Sequence, residues 1–403
     1  MTSMSKPDSI SFNEYKYLLR LLASVLSGKD VPRPNETINW ATVFSAASNH
    51  SVAGMTYYAI KKLPSDCMPS EQVLASFLSS YRAELVLEGN IQFETERLFT
   101  ELTSAGIDIL PVKGILLKDY YPVPSMRTMT DVDVLYKLKD KEKVIEVFKK
   151  YGYTLNSDGL GQLDFTKEPV HHYELHSSLL SEDKKDFEYF SNICERAIPT
   201  EQPHIFTLRP EDFYIYILEH LAKHIEGGGA GIRMVLDVFV YGKAHSEEFD
   251  NDYVNSELSK INLCKFRQRI EELAASWFAS DEPDVESASA RFILDCPTFG
   301  YVSNAIAYDS LMQERRKGKK QSGISRLLRR IFPPTFYIHR RFPVTRKYKF
   351  LYPFFVPVYW LLRIFKDKNV NYSSVKLYLN PEDSKKFDSI NRMIDELGFD
   401  KRV

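Results

Sequence analysis

Hydrophobic residues recur at helical spacing through most of the first hundred positions. This pattern predicts a helix over Phe12–Leu26, a second from about Val52 to Lys62 and a long third over Pro69–Ala105. Gly106 follows the third helix, and glycine is favoured just beyond a helix end because it adopts the left-handed conformation readily. We therefore expect the N-terminal region, residues 1–105, to be helical.

The spacing changes near Ile107, where short apolar segments begin to alternate with single helices. This succession predicts a small mixed sheet with helices beside it, that is, an α/β (α+β) core in residues 106–200. The pattern is helical again from 201 to 310. The predicted elements of the core are a strand over Ile107–Val112, a strand over Asp131–Tyr136, a helix over Asp140–Tyr151, and strands near Tyr153–Asn156, Leu163–Thr166 and Val170–His176.

Two acidic residues, Asp131 and Asp133, begin the second predicted strand. Residues two apart on a strand point to the same side, so the two carboxylates would project together. Adjacent carboxylates repel unless a cation lies between them, and Mg²⁺, which prefers oxygen ligands, commonly brings nucleotide phosphates with it. Lys113 and Arg127, upstream in the sequence, would then contact those phosphates. The alternative is an ordinary solvated strand face.

A third acid, Glu174, lies in the last predicted strand of the core and shares its face with His172 and His176. On a neighbouring strand, Glu174 would complete a three-carboxylate site for two metal ions, which hold the attacking and leaving oxygens of an in-line displacement. Its other candidate role is that of a general base that accepts the proton of an acceptor hydroxyl. An exposed strand face with polar residues is the remaining alternative.

Two histidines, His220 and His224, lie four residues apart and share one face of a predicted helix after Pro199. They are either a metal-binding pair or, as we favour, part of a polar face that lines the cleft. In the favoured case, His220 or His224 faces the nucleotide or the acceptor. The Gly227–Gly231 stretch predicts a flexible connection between two helices, with phosphate binding by its N–H groups as the alternative.

Several short motifs occur in an order that resembles a known family. They are Leu110-Pro111-Val112-Lys113-Gly114-Ile115-Leu116-Leu117, Tyr120-Tyr121-Pro122, Met126-Arg127, Asp131-Val132-Asp133-Val134-Leu135, Tyr173-Glu174-Leu175-His176, Glu219-His220-Leu221-Ala222-Lys223-His224, Ile232-Arg233-Met234-Val235-Leu236-Asp237 and, upstream, Trp40, Ala47-Ser48-Asn49-His50-Ser51-Val52 and Tyr57-Tyr58. With these motifs, residues from about 35 to 245 are similar to the bacterial uncharacterised nucleotidyltransferases, a branch of the polymerase-β-like nucleotidyltransferase superfamily. The similarity covers about half of the chain and is specific through the combination of motifs.

The resemblance implies that Asp131, Asp133 and Glu174 are the catalytic, metal-binding carboxylates. It also implies that the Lys113-Gly114 turn and Arg127 handle the triphosphate. The wider superfamily has a Gly-Ser or Gly-Gly turn shortly before the acid pair; here the turn is Lys-Gly, and a lysine replaces that contact with a point charge. The further candidates for nucleotide binding are His176, which shares the strand face of Glu174, His220 and His224.

Composition agrees with a large globular protein, since the 403 residues are 44% hydrophobic and 27% charged. The N-terminus lacks the apolar core of a secretory signal. The four cysteines are far apart and form no Cys-x-x-Cys pair, which predicts reduced thiols rather than a disulfide or a metal site. We therefore expect a cytoplasmic protein.

The C-terminal region, residues 311–403, combines basic and aromatic residues. Its first forty residues hold thirteen Lys or Arg against one acid, Glu314, although the whole chain has a net charge of −1. The apolar run Phe350–Leu362 is too short to span a bilayer, which takes about 20 residues. The basic and aromatic residues of 327–365 fit attachment to the anionic inner face of a membrane, with packing onto the helical region as an equal alternative. Nucleic acid could use the same charges, but no motif for it accompanies them.

Three classes of function follow from these features. We predict a Mg²⁺-dependent nucleotidyltransferase, with Mn²⁺ as the alternative ion, that moves a nucleoside monophosphate from an NTP to an unidentified acceptor and releases pyrophosphate. The second class is a glycosyltransferase that holds a metal–nucleotide sugar on Asp-x-Asp, which the helical first hundred residues disfavour. The third is a non-catalytic binding protein of the same fold, such as an antitoxin or a membrane-associated scaffold, and the intact set of acids argues against it.

Overall fold

Helices form most of the molecule and surround one five-stranded mixed sheet, so the predicted α/β (α+β) core with helical flanks is confirmed. The computed structural model describes residues 12–34, 37–159, 161–179, 186–318, 338, 342, 344–366 and 383–402. The helices are α1 (Phe12–Ser27), α2 (Trp40–Asn49), α3 (Ala53–Ile60), α4 (Glu71–Ser104), α5 (Gly114–Leu117), α6 (Lys141–Lys150), α7 (Phe187–Ser191), α8 (Pro210–Glu226), α9 (Ile232–Ala244), α10 (Asn251–Lys260), α11 (Cys264–Ala279), α12 (Ala288–Leu294) and α13 (Val302–Lys317), followed by Val344–Lys347, Tyr352–Lys366 and Asp383–Leu397. The strands are β1 (Ile109–Val112), β2 (Val132–Tyr136), β3 (Thr154–Gly159), β4 (Gln162–Lys167), β5 (His171–His176), β6 (Ile198–Pro199) and β7 (Phe206–Thr207).

The main sheet has the strand order β1-β2-β5-β4-β3. Strands β2 and β5 are parallel, and every other pair in this sheet is antiparallel. Helix α6 and the β3–β4 hairpin lie between β2 and β5 in the sequence. This connection is long enough for the crossover that a parallel pair requires. The register places Asp133 opposite Glu174, and Glu174 opposite Asp164 on its other side. Three acidic residues therefore lie side by side on three neighbouring strands.

One face of the sheet is apolar and packs against α4 and α6. Its strand residues include Val132, Val134, Tyr173 and Leu175, which belong to one buried cluster with helix residues such as Phe148. Because side chains alternate along a strand, the acidic residues point to the opposite face. That face is directed toward helix α8.

A second buried cluster joins the helices before the sheet to those after it. It combines residues of α1, α2 and α3 with residues of α8, α9 and α11, and with the helix Asp383–Leu397 near the end of the chain. The helices on either side of the sheet in sequence therefore share one core. The predicted division of the chain at residues 105, 200 and 310 stays a prediction.

Within the basic and aromatic segment 327–365, the structure describes 338, 342 and 344–365, whereas residues 327–337, 339–341 and 343 lie outside the described residues. The helix Tyr352–Lys366 is 15 residues long and contains Pro357. No helix in the described part of the chain is both long enough and apolar enough to cross a membrane.

Candidate functional site

The turn after β1 positions the first charged group of the site. Lys113 has φ +59° and ψ −129°, a conformation that is strained for a residue with a side chain. A Cβ on the next residue, Gly114, would lie 2.6 Å from both the Arg127 Nη1 and the Met129 Sδ. A side chain at this position would therefore have to displace Arg127 and Met129. The turn directs the Lys113 ammonium to the Asp133 carboxylate, with Nζ 2.5 Å from Oδ1.

Asp133 is a buried carboxylate, 3% exposed, on β2 between β1 and β5. Burial alone would raise its pKa, but the charge of Lys113 and the hydrogen bond from His176 outweigh burial and hold that pKa below its usual value. Asp131 lies just before β2 and is half-buried. Its Oδ1 accepts a hydrogen bond from the Thr130 hydroxyl at 3.2 Å.

Glu174 and His176 complete a compact group of ligand atoms with Asp133. The His176 Nε2 lies 3.0 Å from Asp133 Oδ1 and 3.4 Å from Glu174 Oε2. The hydrogen bond from His176 lowers the pKa of Glu174. Burial would lower the pKa of His176, but its bonds to the two carboxylates raise it. The three ligand atoms lie within 4.8 Å of one another and could hold a divalent ion.

A second group of the same composition adjoins the first. Asp164, His172 and Glu174 also offer one ligand atom each within 4.8 Å of one another. The His172 Nε2 lies 3.2 Å from Asp164 Oδ1. Asp131, although predicted as a metal ligand, belongs to neither group among the described residues.

Arg127 is held by a buried ion pair with α9. Its Nη2 lies 2.9 Å from Asp237 Oδ2 and its Nε 3.2 Å from Asp237 Oδ1, while Nη1 donates to the Thr128 carbonyl. The Tyr121 hydroxyl donates to the same carboxylate at 2.8 Å. Arg127 thus has a structural partner that the sequence did not indicate, and it still borders a cavity shared with Lys113.

Helix α8 forms the wall opposite the acidic residues. Lys113, Arg127, Tyr216 and His220 line a cavity of about 20 Å³, which is room for one water molecule. Burial lowers the pKa of His220 well below its usual value and lowers the pKa of His224 to about 4, so both imidazoles are neutral at pH 7. Their ring centroids are 4.6 Å apart.

Tyr216 faces the carboxylates and was missed by the sequence analysis. The pKa of its hydroxyl lies well above the usual value because the residue is buried and because Asp133, Glu219, Asp131 and Glu174 carry negative charge nearby. Helical spacing could have identified Tyr216, because it lies four residues before His220 on the same helix face.

Two further residues of the site region were not predicted as site residues. Asp164 lies beside Glu174 because of the strand register, which a single sequence does not reveal. Arg233, in the first turn of α9, is 8% exposed, and its Nη1 donates to the Thr128 carbonyl at 2.8 Å. Burial lowers the pKa of Arg233 to about 10.

The glycine stretch before α9 is a packed turn, which corrects the prediction of a flexible connection. A Cβ on Gly228 would lie 2.5 Å from the Tyr301 carbonyl oxygen, and one on Gly229 would lie 2.5 Å from the Cys296 Sγ. Both glycines have positive φ, +124° and +138°. They are needed because another segment of backbone lies directly against them.

Comparison with known proteins identifies a family. A family model described as uncharacterised nucleotidyltransferase matches residues 36–279, which include every residue of the site. No curated protein and no solved structure matches the chain. Because the matched residues make up more than half of the sequence, the chain belongs to the uncharacterised nucleotidyltransferase family.

Proposed function

We propose that the protein is a cytoplasmic nucleotidyltransferase of the polymerase-β-like superfamily that transfers a nucleoside monophosphate from an NTP to an acceptor hydroxyl or phosphate. The observation that carries the proposal is the register pairing of Asp133 with Glu174 across β2 and β5, beside the Lys113 ammonium. In a member of a nucleotidyltransferase family, this arrangement provides both metal-ligand oxygens and a cation for phosphate.

Asp133 and Glu174 are the proposed ligands of a divalent ion, Mg²⁺ or Mn²⁺, with Asp131 as the third acid of the set. Their lowered pKa values keep both carboxylates ionised at neutral pH, which suits a metal that prefers oxygen donors. When bound, such an ion would neutralise negative charge on the transferred phosphate.

The remaining residues act on the triphosphate and the acceptor. Lys113 offsets phosphate charge directly, and Arg127, anchored by Asp237, adds positive charge beneath the Gly114 turn. His220 and His224 are neutral, so they would donate or accept hydrogen bonds rather than contribute charge.

In the reaction, the acceptor oxygen bonds to the α-phosphorus while the bond to the bridging oxygen of pyrophosphate breaks. The acceptor proton passes to Glu174 or to water.

Calorimetric titration with each of the four NTPs, with and without Mg²⁺, tests the proposal. We expect Mg²⁺-dependent binding of at least one NTP by the wild type and at least about tenfold weaker binding by Asp133→Asn and Asp131→Asn. The matched control is Asp252→Asn, an exposed acid on α10, which should bind as the wild type does. Circular dichroism would establish that each variant is folded. Failure of the folded wild type to bind any NTP would favour the non-catalytic alternative.

We also propose that the chain attaches to an anionic membrane surface through 327–365. The supporting observation is a group of exposed apolar side chains: Phe350 is 70% exposed just before the helix Tyr352–Lys366, and on that helix Phe354 is 70% and Leu361 57% exposed. Large exposed apolar side chains that are grouped in this way mark an interaction surface.

A further inference from the structure

The middle of helix α4 presents an apolar strip to solvent. Val86 and Phe93 are 65% and 67% exposed, and Leu85 is 39% exposed. The opposite side of the same helix is buried, through residues such as Ile91 and Leu98. The strip is therefore not the face that anchors α4 in the fold, and a group of large exposed apolar side chains indicates a contact surface.

Gly89 lies at the centre of this strip. It is exposed and belongs to the interior of a 34-residue helix, where glycine is less favourable than alanine. A Cβ at Gly89 would meet no atom within 4 Å, so no neighbouring segment of the same chain requires a glycine there. The absence of a side chain instead allows a second backbone to approach the exposed face closely.

The charged residues at the two ends of the strip have opposite sign. Arg82 and Glu96 each lie seven residues from Gly89, on opposite sides of it and on the same helix face. Both are exposed, and neither forms an ion pair among the described residues, whereas Glu88 and Arg97 of the same helix do. A cation and an anion at equal distances from one centre match an antiparallel copy of the same helix.

We infer that this strip binds a second copy of the chain, with the two α4 helices antiparallel and related by a two-fold axis at Gly89. In such a pair, each residue that contacts a given position of the copy is itself contacted by the equivalent residue. Arg82 then faces Glu96 of the second copy, and Leu85 faces Phe93 of the second copy. Two ion pairs enclose the apolar contacts. These residues lie outside the candidate functional site, so the inference does not depend on the proposed function.

The length of the strip sets the strength of the dimer. The stretch from 82 to 96 is about 22 Å long at the helical rise of about 1.5 Å per residue. An interface built mainly on one such stretch lies at the small end of specific interfaces, so the dimer should be reversible, with a dissociation constant on the order of 10 µM. Sedimentation velocity of the full chain from about 1 to 100 µM should show monomer at the lowest concentration and mainly dimer at the highest.

Charge reversal tests the pairing of the two ends. Arg82→Glu and Glu96→Arg should each raise the dissociation constant at least about tenfold, because like charges then face each other. The double variant Arg82→Glu/Glu96→Arg should return to within about threefold of the wild type, since the ion pairs are restored with reversed direction. A misfolded chain could not regain dimerisation in this way. Asp252→Arg, a matched control that reverses an exposed charge on α10, should dimerise as the wild type does.

Disulfide formation tests the register. Gly89→Cys places a thiol at the two-fold axis, so mild oxidation should join the two substituted positions, which requires Cα atoms less than about 7 Å apart. Ala75→Cys is the matched control, also exposed on α4, and its two copies would lie about 42 Å apart. Mass spectrometry of the joined peptides distinguishes this bond from bonds between native cysteines. A chain that stays monomeric throughout, a double charge variant no tighter than the single variants, or equal cross-linking of the two cysteine variants would overturn the inference.

Discussion

At the scale of single residues, the buried carboxyl group of Glu219 changes its charge near neutral pH. It is 3% exposed, and its Oε2 has no hydrogen-bond partner among the described residues. Burial raises its pKa to about 7, although the nearby charge of Arg402 acts in the opposite direction. Glu219 lies one helical turn after Tyr216, so a buried acid adjoins the wall of the site.

Glu219→Gln should remove a pH dependence of stability. The pKa of Glu219 is about 7 when folded against an ordinary 4.5, so the folded chain binds more protons between these values. Its contribution to stability is complete below about pH 4.5 and is lost as pH rises through about 7. We expect the variant to match the wild type at pH 4.5 and to exceed its free energy of unfolding by on the order of 2–3 kcal/mol at pH 8.

Urea unfolding at the two pH values measures this difference. The control is Glu247→Gln, an exposed glutamate, which should leave the free energy of unfolding within about 0.5 kcal/mol of the wild type at both. Equal stability of Glu219→Gln and the wild type at pH 8 would show that the carboxyl group is better solvated than its burial indicates.

At the scale of elements, a charged contact fixes the segment between β1 and β2 against α9. Arg127 and Asp237 lie 110 positions apart and are both nearly inaccessible, with side chains 10% and 5% exposed. Two further hydrogen bonds join the same segment to α9. The Tyr121 hydroxyl donates to Asp237, and the Arg233 guanidinium donates to the Thr128 carbonyl. Arg127 also lies beside Gly114, so this contact places a buried cation next to the Lys113 turn.

Arg127→Met should destabilise the fold by about 3–5 kcal/mol, because it leaves the buried Asp237 without its cation. Adding Asp237→Asn should recover part of that loss, since the amide carries no charge and can still accept the Tyr121 hydrogen bond. The measurement is the free energy of unfolding of both variants. Arg33→Met gives the matched control: Arg33 pairs with Asp66 at 2.7 Å on the surface, and its loss should leave the free energy of unfolding close to that of the wild type. A double variant no more stable than Arg127→Met would contradict the electrostatic argument.

At the scale of the whole molecule, the family match ends at residue 279, but residues after it take part in the buried core. An exposed apolar surface also lies in the part of the chain that follows the match. The buried cluster includes Ile390, Met393 and Leu397 from the end of the chain, so the last helix stabilises the same core as α1. The helix Tyr352–Lys366 instead presents apolar side chains to the surface.

The variant Phe350→Ser/Phe354→Ser/Leu361→Ser should bind anionic vesicles at least about tenfold more weakly than the wild type. Each aromatic or leucine side chain that becomes buried in the membrane contributes about 1.5–3 kcal/mol to binding, and the variant lacks all three. Co-sedimentation with phosphatidylserine-containing vesicles measures this, and added salt should weaken the wild type as well. NTP binding should not change. The matched control is Phe299→Ser, which alters an equally exposed phenylalanine, 66% exposed, between α12 and α13. Equal sedimentation of the wild type and the triple variant would exclude this segment as a membrane contact.

The sequence by itself determined the type and approximate position of several N-terminal helices and of the core strands. Helical spacing gave α1, α3 and α4 within two residues at most ends, and short apolar segments gave β1, β2, β4 and β5. These patterns are local, because a helix or strand must place its apolar residues on one face whatever it packs against. The Asp-x-Asp and Glu174 candidates came from the same local alternation.

Only the tertiary structure decided which side chains meet. The parallel pairing of β2 with β5 puts Glu174 beside Asp133, and the hairpin puts Asp164 beside Glu174. The partner of Arg127 is Asp237, on a helix far along the chain. The glycines near residue 228 are fixed by a segment seventy positions away. Such contacts depend on register and packing between distant segments, which the period of a single sequence does not encode.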